Sequence, residues 1–541
     1  MKEERQMLPE DKYFQTLTEA ELWQRYCGFL DLSISEFMDI QKELLMDQIE
    51  RVADSTLGKK IMNNRKPKTI EEFRQMVPLT TYDDYEPYLS EQREDSLGAK
   101  PRLWIHSSGR GGRFKWIPQS SEIVQKSVRC WLASFILASC RKKGEINIRP
   151  GFRLLATLPP PPYTSGSSMV VLAQCISLKA IPPFEQSETM DFQDRIKAGF
   201  QIALKDGVDV MGSLTSILVR MGQEFAEQTR RMTFSLSMLH PKILSRLVLA
   251  FLRSKRENRP ILPKDLWKPK GIVAGGLDTG IYRDDIAHYW GSPPHELYAA
   301  TESFVLAIQG WNKGGMVFLH DMAFLEFIPY EEHLKHEADR DYQPSTLLLN
   351  QLEEGKLYEV VITQFYGMPL LRYRMEDLIK VITIKDEEAG INLPQIAFQR
   401  RVGEVISLAG LAQLDEKTIW QAIANTRVKY SDWVAIKEYD QNQTFLRLYL
   451  ELKEEVDSAE VASRVDEQLK IIDTDYKDIH AYLNLQPLRI TLLSLGTFRR
   501  YIDEKRKQGA DLAHIKPAHI NAPEMVIQRL LELSEVTDEQ C

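Results

Sequence analysis

Four stretches of the sequence gather residue types that handle phosphate, nucleotide and a divalent cation. The first is IHSSGRGGRFKWIP (105–118). Its glycines let backbone N–H groups approach phosphate oxygens closely, Ser107 and Ser108 add hydroxyl donors, and Lys115 adds a mobile positive charge. It lacks the Gly-Lys-Ser/Thr ending of the P-loop, and a solvent-exposed glycine-rich turn with basic residues has the same composition. The second, LYAATES (297–303), offers the Tyr298 ring for stacking on a base, the Thr301 hydroxyl, and Glu302 as a hard oxygen ligand for magnesium. A strand end with a helix cap explains it equally well. In the third, GKLYEVVITQFYGMPLLRYRMEDLIKV (355–381), a strand runs into a Gly-Met-Pro turn and then to Asp377. A carboxylate at a fixed place after a strand can accept both ribose hydroxyls of a nucleotide; the alternative is a surface ion pair with Arg372 or Arg374. The fourth, GTFRRYIDEKRKQGADLAHIKP (496–517), carries Lys516 between Ile515 and Pro517, outside the KRK cluster. A solvated lysine is the plain alternative there.

Such stretches need a body to position them. At 541 residues the chain exceeds one ordinary core and is expected to form two or more domains. Its 27% charged and 43% hydrophobic residues are those of a soluble globular protein. A net charge of −8 with no long basic run does not suggest nucleic-acid binding. No apolar run reaches membrane-spanning length; the most apolar, Leu247–Leu252 between Arg246 and Arg253, reads as a buried helix. The start MKEERQMLPEDKY lacks an apolar signal region, and five scattered cysteines without metal-ligand spacing read as reduced thiols, so a cytoplasmic location is expected.

The first hundred residues carry helical signals. Ser33 and Glu36 form a capping box, followed by Ile34, Phe37, Ile40, Leu44, Ile49 and Val52 at helical spacing. Strand signals at 153–158, 271–274 and 357–363 alternate with helical ones, which predicts an α/β body. The last 130 or so residues predict a smaller α+β unit: strands over 433–439 and 445–452 around DQNQ, a helix face of Val461, Val465 and Leu469, and a strand over 488–493.

The order and spacing of the four stretches are more specific than any one of them. SSGRGGRFKWIP, YAATE, YEVVIT, RYRMED, GTFRRYIDEKRKQGA and IKP together resemble the adenylate-forming enzymes, and most closely the Gretchen Hagen (auxin-responsive promoter) family of acyl acid amido synthetases. The likeness runs from about residue 40 to 520. The Gly-Thr-Phe to Lys tail favours this family over the phenylacetate–CoA ligases, which share a similar Pro-Leu-x-Arg-Tyr-Arg stretch.

The resemblance implies a large N-terminal α/β domain over 1–403 that binds ATP and the acyl acid, and a mobile α+β lid over 404–541. Ser107, Ser108, Gly109 and Lys115 would hold the ATP phosphates. Gly275 and Gly276 would lie near the adenine, with Tyr298 against its ring. Thr301 would reach the α-phosphate, Glu302 the magnesium ion, and Asp377 the ribose hydroxyls. Arg401 matches an arginine near the domain junction, and Lys516 would swing in to the α-phosphate. The implied chemistry is attack of a carboxylate on the α-phosphate, loss of pyrophosphate, and transfer of the acyl group to an amine. Partners would be a small carboxylic acid and an amine or amino acid, with no nucleic acid and no membrane. Coenzyme A as acceptor, or binding without turnover, are the alternatives.

Three departures from the family pattern stand out. The phosphate loop is one residue shorter, with Arg110 where a hydroxyl pair is usual, and Arg110 could supply those contacts. Glu376 replaces the glycine before Asp377. Arg400 replaces the glycine before Arg401.

Overall fold

In the computed structural model of the protein, the capping box at Ser33 and Glu36 starts the helix Ile34–Val52. Ser33 Oγ accepts from the Glu36 N–H at 3.3 Å, and the Glu36 carboxylate accepts from the Ser33 N–H at 2.8 Å. The buried stripe is Phe37, Gln41, Leu45, Gln48, Ile49 and Val52, offset from the expected Ile34, Ile40 and Leu44, which stay partly exposed. Hydrogen bonding decides the offset. Gln41 Nε2 donates to the carbonyls of His320 and Ala323 at 2.6 and 2.9 Å, while its Oε1 accepts from Leu325 N at 2.9 Å. Gln48 bonds the carbonyl of Met368 and the N–H of Gly367, both at 2.7 Å. Gly367 has φ +79°, and a Cβ there would lie 2.6 Å from that of Ala99, so this docking turn requires glycine.

The structure describes all residues except 1–6, 108–114, 159–160, 188–189, 191, 231–240, 276–278, 340, 402–404, 410, 441–442, 484, 508–516, 518 and 536–541. The described residues form two compact units, one from 7–107 and 115–401, the other from 405–535.

In the first unit, β1 (Leu103–Ser107) and β2 (Lys115–Gln119) form an antiparallel hairpin. The strands β3 (Phe152–Thr157), β4 (Leu178–Ile181), β5 (Val210–Leu214), β6 (Gly271–Gly275), β7 (His295–Ala300), β8 (Phe304–Gln309), β9 (Met316–Phe318), β10 (Ala323–Pro329), β11 (Leu357–Gln364), β12 (Tyr373–Thr383) and β13 (Gln395–Arg401) follow. They build one 11-stranded sheet ordered β10-β11-β12-β13-β9-β8-β7-β6-β5-β3-β4. Pairs from β4 to β7 are parallel and those from β7 to β10 antiparallel, so the sheet changes character at β7. The buried helix Ser121–Ser139 packs on this sheet.

The second unit holds the hairpin β14 (Val405–Leu408) and β15 (Ala412–Asp415), and the sheet β16 (Tyr430–Asp440), β17 (Gln443–Leu452) and β18 (Leu488–Leu493). Val461, Val465 and Leu469 are buried on the helix Ser458–Ile472. The Gly-Thr-Phe segment is a helix start: Glu451 accepts from the N–H groups of Gly496 and Phe498, both at 2.9 Å, where a carboxylate also meets the positive end of the helix dipole.

One expectation is corrected. Leu247–Leu252 lies in a helix, Pro241–Glu257, but only Leu247 and Ala250 are buried; Val248, Leu249, Phe251 and Leu252 are half exposed. Arg246 anchors the inner face through the carbonyls of Ala203 and Leu204. Among the described residues no helix is long and apolar enough to cross a membrane, and the four described cysteines are unbonded.

Candidate active site

The glycine-rich stretch sits on the β1–β2 hairpin. Register pairs Ser107 with Lys115, so these two residues face each other at the neck of the loop. Ser108, Gly109 and Arg110 lie outside the described residues. Lys115 Nζ stands 5.6 Å from the centroid of the Tyr82 ring, and the Tyr82 hydroxyl accepts from Trp116 N at 2.9 Å. Burial pushes the Tyr82 phenol up, and the Glu302 carboxylate adds to the shift, which relates the hairpin to the second motif. A direct tie is Gln119 at the end of β2, whose Nε2 donates to the Thr301 carbonyl at 2.8 Å.

Tyr298 lies on β7, and Thr301 and Glu302 follow its C-terminal end. The sheet turns from parallel to antiparallel at this strand, and ligands of α/β sheets bind beyond the carboxyl ends of the strands. The Thr301 hydroxyl accepts from Thr164 Oγ1 at 2.9 Å, at the start of the helix Thr164–Cys175. Glu302 is buried; its carbonyl accepts from Gln364 Nε2 at 2.6 Å, and Tyr373 Oη stands 3.5 Å from its carboxylate. On the neighbouring strand, Gly275 ends β6. A Cβ there would lie 3.5 Å from Leu297 Cδ1, an ordinary contact, so packing alone does not demand glycine. Gly276 lies outside the described residues.

Asp377 comes to the same place from β12. Its register partner on β13 is Arg401, whose Nε stands 3.7 Å from Oδ1, and Tyr298 donates to Oδ2 at 2.7 Å. Asp377 Oδ1 is buried with no hydrogen-bond partner among the described residues. Burial pushes the Asp377 carboxyl up to about 6, against the pull of Arg401 and the Tyr298 hydrogen bond, while Glu302 and Glu376 push in the same direction as burial. Burial disfavours the Arg401 charge, but the carboxylates of Asp377, Glu302 and Glu376 overcome this and raise its pKa. Burial, then Asp377, raises that of Tyr298, whose ring packs 6.1 Å from Phe398. Tyr298, Thr301, Glu302, Asp377 and Arg401 therefore converge, with Lys115 close by.

A bulge aims Asp377. Between Arg374 and Leu378 the β12 register slips against β11, and Glu376 within the slip has φ +58°. That left-handed conformation favours glycine, the residue Glu376 replaces. The alternative partners for Asp377 are engaged elsewhere. Arg372 holds buried Glu326 at 2.9 and 3.0 Å, and Arg374 holds buried Glu359 at 2.7 and 2.9 Å, with His333 on the same carboxylate. Lys516 lies outside the described residues.

Sequence reasoning passed over Gln119, Thr164, Gln364 and Tyr373, which orient this cluster. Gln364 and Tyr373 lie within the third stretch and Gln119 ends β2, but no residue pattern there singled them out. Among the described residues no three His, Cys, Asp or Glu side chains gather as a metal cage. Magnesium held through substrate phosphates needs only one or two carboxylates, a requirement Glu302 fits.

Comparison with known proteins bears on both fold and family. A rice (Oryza sativa subsp. japonica) jasmonoyl–L-amino acid synthetase, GH3.5, is 24% identical over 285 residues, 48% of this chain and 47% of the relative. The chain thus spans about half the length of this curated relative. Among solved structures, the acyl acid amido synthetase AtGH3.15, in complex with 2,4-DB, superposes with a TM-score of 0.53 at 18% identity, covering 96% of this chain and 98% of its own. A 2-hydroxyisobutyryl-CoA ligase, in complex with 2-HIB-AMP and CoA, superposes with a TM-score of 0.54 at 13% identity, covering 91% and 92%. These likenesses show the α/β fold of the adenylate-forming enzymes. Three domain models of one family match along the chain: GH3 N-terminal over 28–157, GH3 central over 316–401 and GH3 C-terminal over 416–524. The last two take in the Asp377 bulge and the Gly-Thr-Phe helix start, and with the first they place this chain in the GH3 family, the Gretchen Hagen family its motifs resemble.

Proposed function

We propose that the protein is a cytoplasmic ATP-dependent ligase that adenylates a small carboxylic acid and passes the acyl group to an amine of the amino acid kind. The observation that carries this reading is Asp377: a buried carboxylate beside Tyr298, Arg401 and Glu302, with one oxygen lacking a hydrogen-bond partner. Two ribose hydroxyls would satisfy that oxygen and complete the shell. Gly275 leaves the end of β6 clear for the base, while Ser107, Ser108, Gly109, Arg110 and Lys115 bind the phosphates. Gly276 continues the base site, and Tyr298 borders it with its phenol held by Asp377.

In the first step a substrate carboxylate oxygen bonds to the α-phosphorus and the bond to the β-phosphate oxygen breaks, releasing pyrophosphate. In the second an amine nitrogen attacks the acyl carbonyl, AMP leaves, and the amine gives up a proton. Catalysis in such transfers is mainly positioning and electrostatic stabilisation. Thr301 orients the α-phosphate, Lys516 brings positive charge to it from the C-terminal domain, and Arg401 holds Asp377 ionised against its burial. Glu302 is the residue that would hold a magnesium ion brought with ATP, which would supply neutralisation of phosphate charge.

The test is pyrophosphate release on incubation with ATP, magnesium and a panel of carboxylic acids, followed by addition of amino acids or coenzyme A to a competent acid. Amide formation supports the proposal. The likeness to a CoA ligase fold favours thioester formation as the second reading, and CoA-dependent turnover without amide would establish it. ATP binding with no release for any acid would mark a nucleotide-binding protein without turnover.

A further inference from the structure

A second cleft, of about 220 Å³, opens beside the helix Ser121–Ser139 and shares no residue with the cluster around Asp377. Lys126, Arg129, Cys130 and Ala133 line it from one face of that helix, at the i, i+3, i+4, i+7 spacing that places side chains together. Arg25 closes it from the N-terminal helices, and His320 and Asp321 from the turn after β9.

The charges in this cleft do not balance. Arg25 pairs with Glu10 at 3.3 Å and stacks 3.4 Å from the Tyr13 ring centroid. Lys126 pairs with Asp321. Arg129 makes no ion pair or hydrogen bond among the described residues, and its Nε is buried. Two more buried nitrogens, Arg25 Nε and His320 Nδ1 on the other two walls, also lack a partner among the described residues. Burial, reinforced by Lys126 and Arg129 and opposed by Asp321, lowers the His320 pKa, so its ring is neutral and can offer a single N–H. A buried donor without an acceptor costs about 1–3 kcal/mol, and all three side chains line this cleft.

We propose that this cleft binds a small tetrahedral oxyanion, a phosphate or phosphomonoester, with Arg129 as its main partner. Two guanidinium groups, an ammonium and an imidazole, arriving from three elements, suit an anion with three or more oxygens better than a two-oxygen carboxylate. The volume is several times the roughly 30 Å³ share of one liquid water. It leaves room for a short organic stem against Phe29, Leu32 and Leu319, which line the rest of the cleft.

Calorimetric titration of the full chain with inorganic phosphate and with phenyl phosphate, at constant ionic strength, tests this. Saturable binding is expected for both, tighter for phenyl phosphate; equal affinities would assign the site to the bare anion, still as proposed here. Arg129→Gln should weaken both at least about tenfold, the scale of one charge-assisted hydrogen bond. Gln125→Ala, on the exposed side of the same helix, should change neither. Lys115→Ala separates this cleft from the proposed nucleotide site and should also leave binding intact. Loss of phosphate binding in Lys115→Ala but not in Arg129→Gln, or tighter binding of benzoate than of phenyl phosphate, would overturn the proposal. If Arg129→Gln does not fold, Arg129→Lys carries the test: it keeps the charge, loses the planar fork, and should bind with intermediate affinity.

Discussion

Asp377 shows what one buried carboxyl can do. Its pKa is pushed up to about 6 by burial. An acid whose pKa is higher in the folded than in the unfolded state stabilises the fold below its unfolded value, near 3.8, and that contribution is lost as the pH rises towards 6. Ionised Asp377 therefore costs the unliganded protein roughly 3 kcal/mol at neutral pH, an expense tolerated where function needs the charge. Asp377→Asn should flatten the dependence of denaturant stability on pH between 4 and 6 and raise stability at pH 7, while weakening ATP binding at least about tenfold. Lower stability at pH 7 would instead make the Arg401 pair a structural one. In the wild type, ATP affinity should fall as the pH drops below about 6, where Asp377 takes up a proton. Next to it, Glu376 holds a left-handed φ of +58°. Glu376→Gly should raise stability by about 0.5–1 kcal/mol, read from the denaturation midpoint.

At the scale of elements, polar groups rather than apolar stripes decide how the pieces dock. Gln41 and Gln48 turn the helix Ile34–Val52 so that glutamines face inward and Ile40 faces partly outward. The pair Arg372–Glu326, shared with Thr346 and Arg74, fastens the start of β12 to β10. Breaking a buried ion pair by removing one partner leaves the other uncompensated, so Glu326→Gln should destabilise by about 3–5 kcal/mol in denaturant titration. A loss below 1 kcal/mol would show that water replaces the carboxylate. In the C-terminal unit, His519 gives Nε2 to Asp432 at 2.7 Å and Nδ1 to Glu416 at 2.5 Å, and stacks on Trp433. The bond to Asp432, opposed by burial and helped by Glu416, raises its pKa. Its stabilisation is complete below about 6.5 and disappears as the pH climbs through the raised value. Unfolding curves on either side of that value should show a loss of stability in the wild type that His519→Gln lacks.

At the scale of the whole molecule, the chain divides into two units joined near residue 403, and the residues proposed for catalysis are divided between them. Asp377, Glu302 and Arg401 belong to the first, Lys516 to the C-terminal region. Lys516→Ala should slow adenylation by about 10²–10³-fold, the scale of losing one oxyanion donor, with ATP affinity kept. Acid-dependent pyrophosphate exchange measures it, and an unchanged rate would remove Lys516 from the mechanism.

The order of motifs along the chain determined the fold class and the family, because an ordered set of short patterns spread from Ser107 to Pro517 is far more restrictive than any one of them. Continuous apolar runs marked the largely buried strands at 153–158 and 357–363, and helical periodicity marked the buried face of Val461, Val465 and Leu469. Only the tertiary structure decided what the charged residues do. The sequence offered Asp377 two arginine partners, Arg372 and Arg374, but both went to buried glutamates, and strand pairing supplied a third, Arg401, by setting β13 beside β12. The exposed face of the helix Pro241–Glu257 and the unbalanced Arg129 were hidden for the same reason. Local sequence fixes which residues share a face, but which face another element covers, and which charge is left without a partner, depends on chain segments hundreds of residues away.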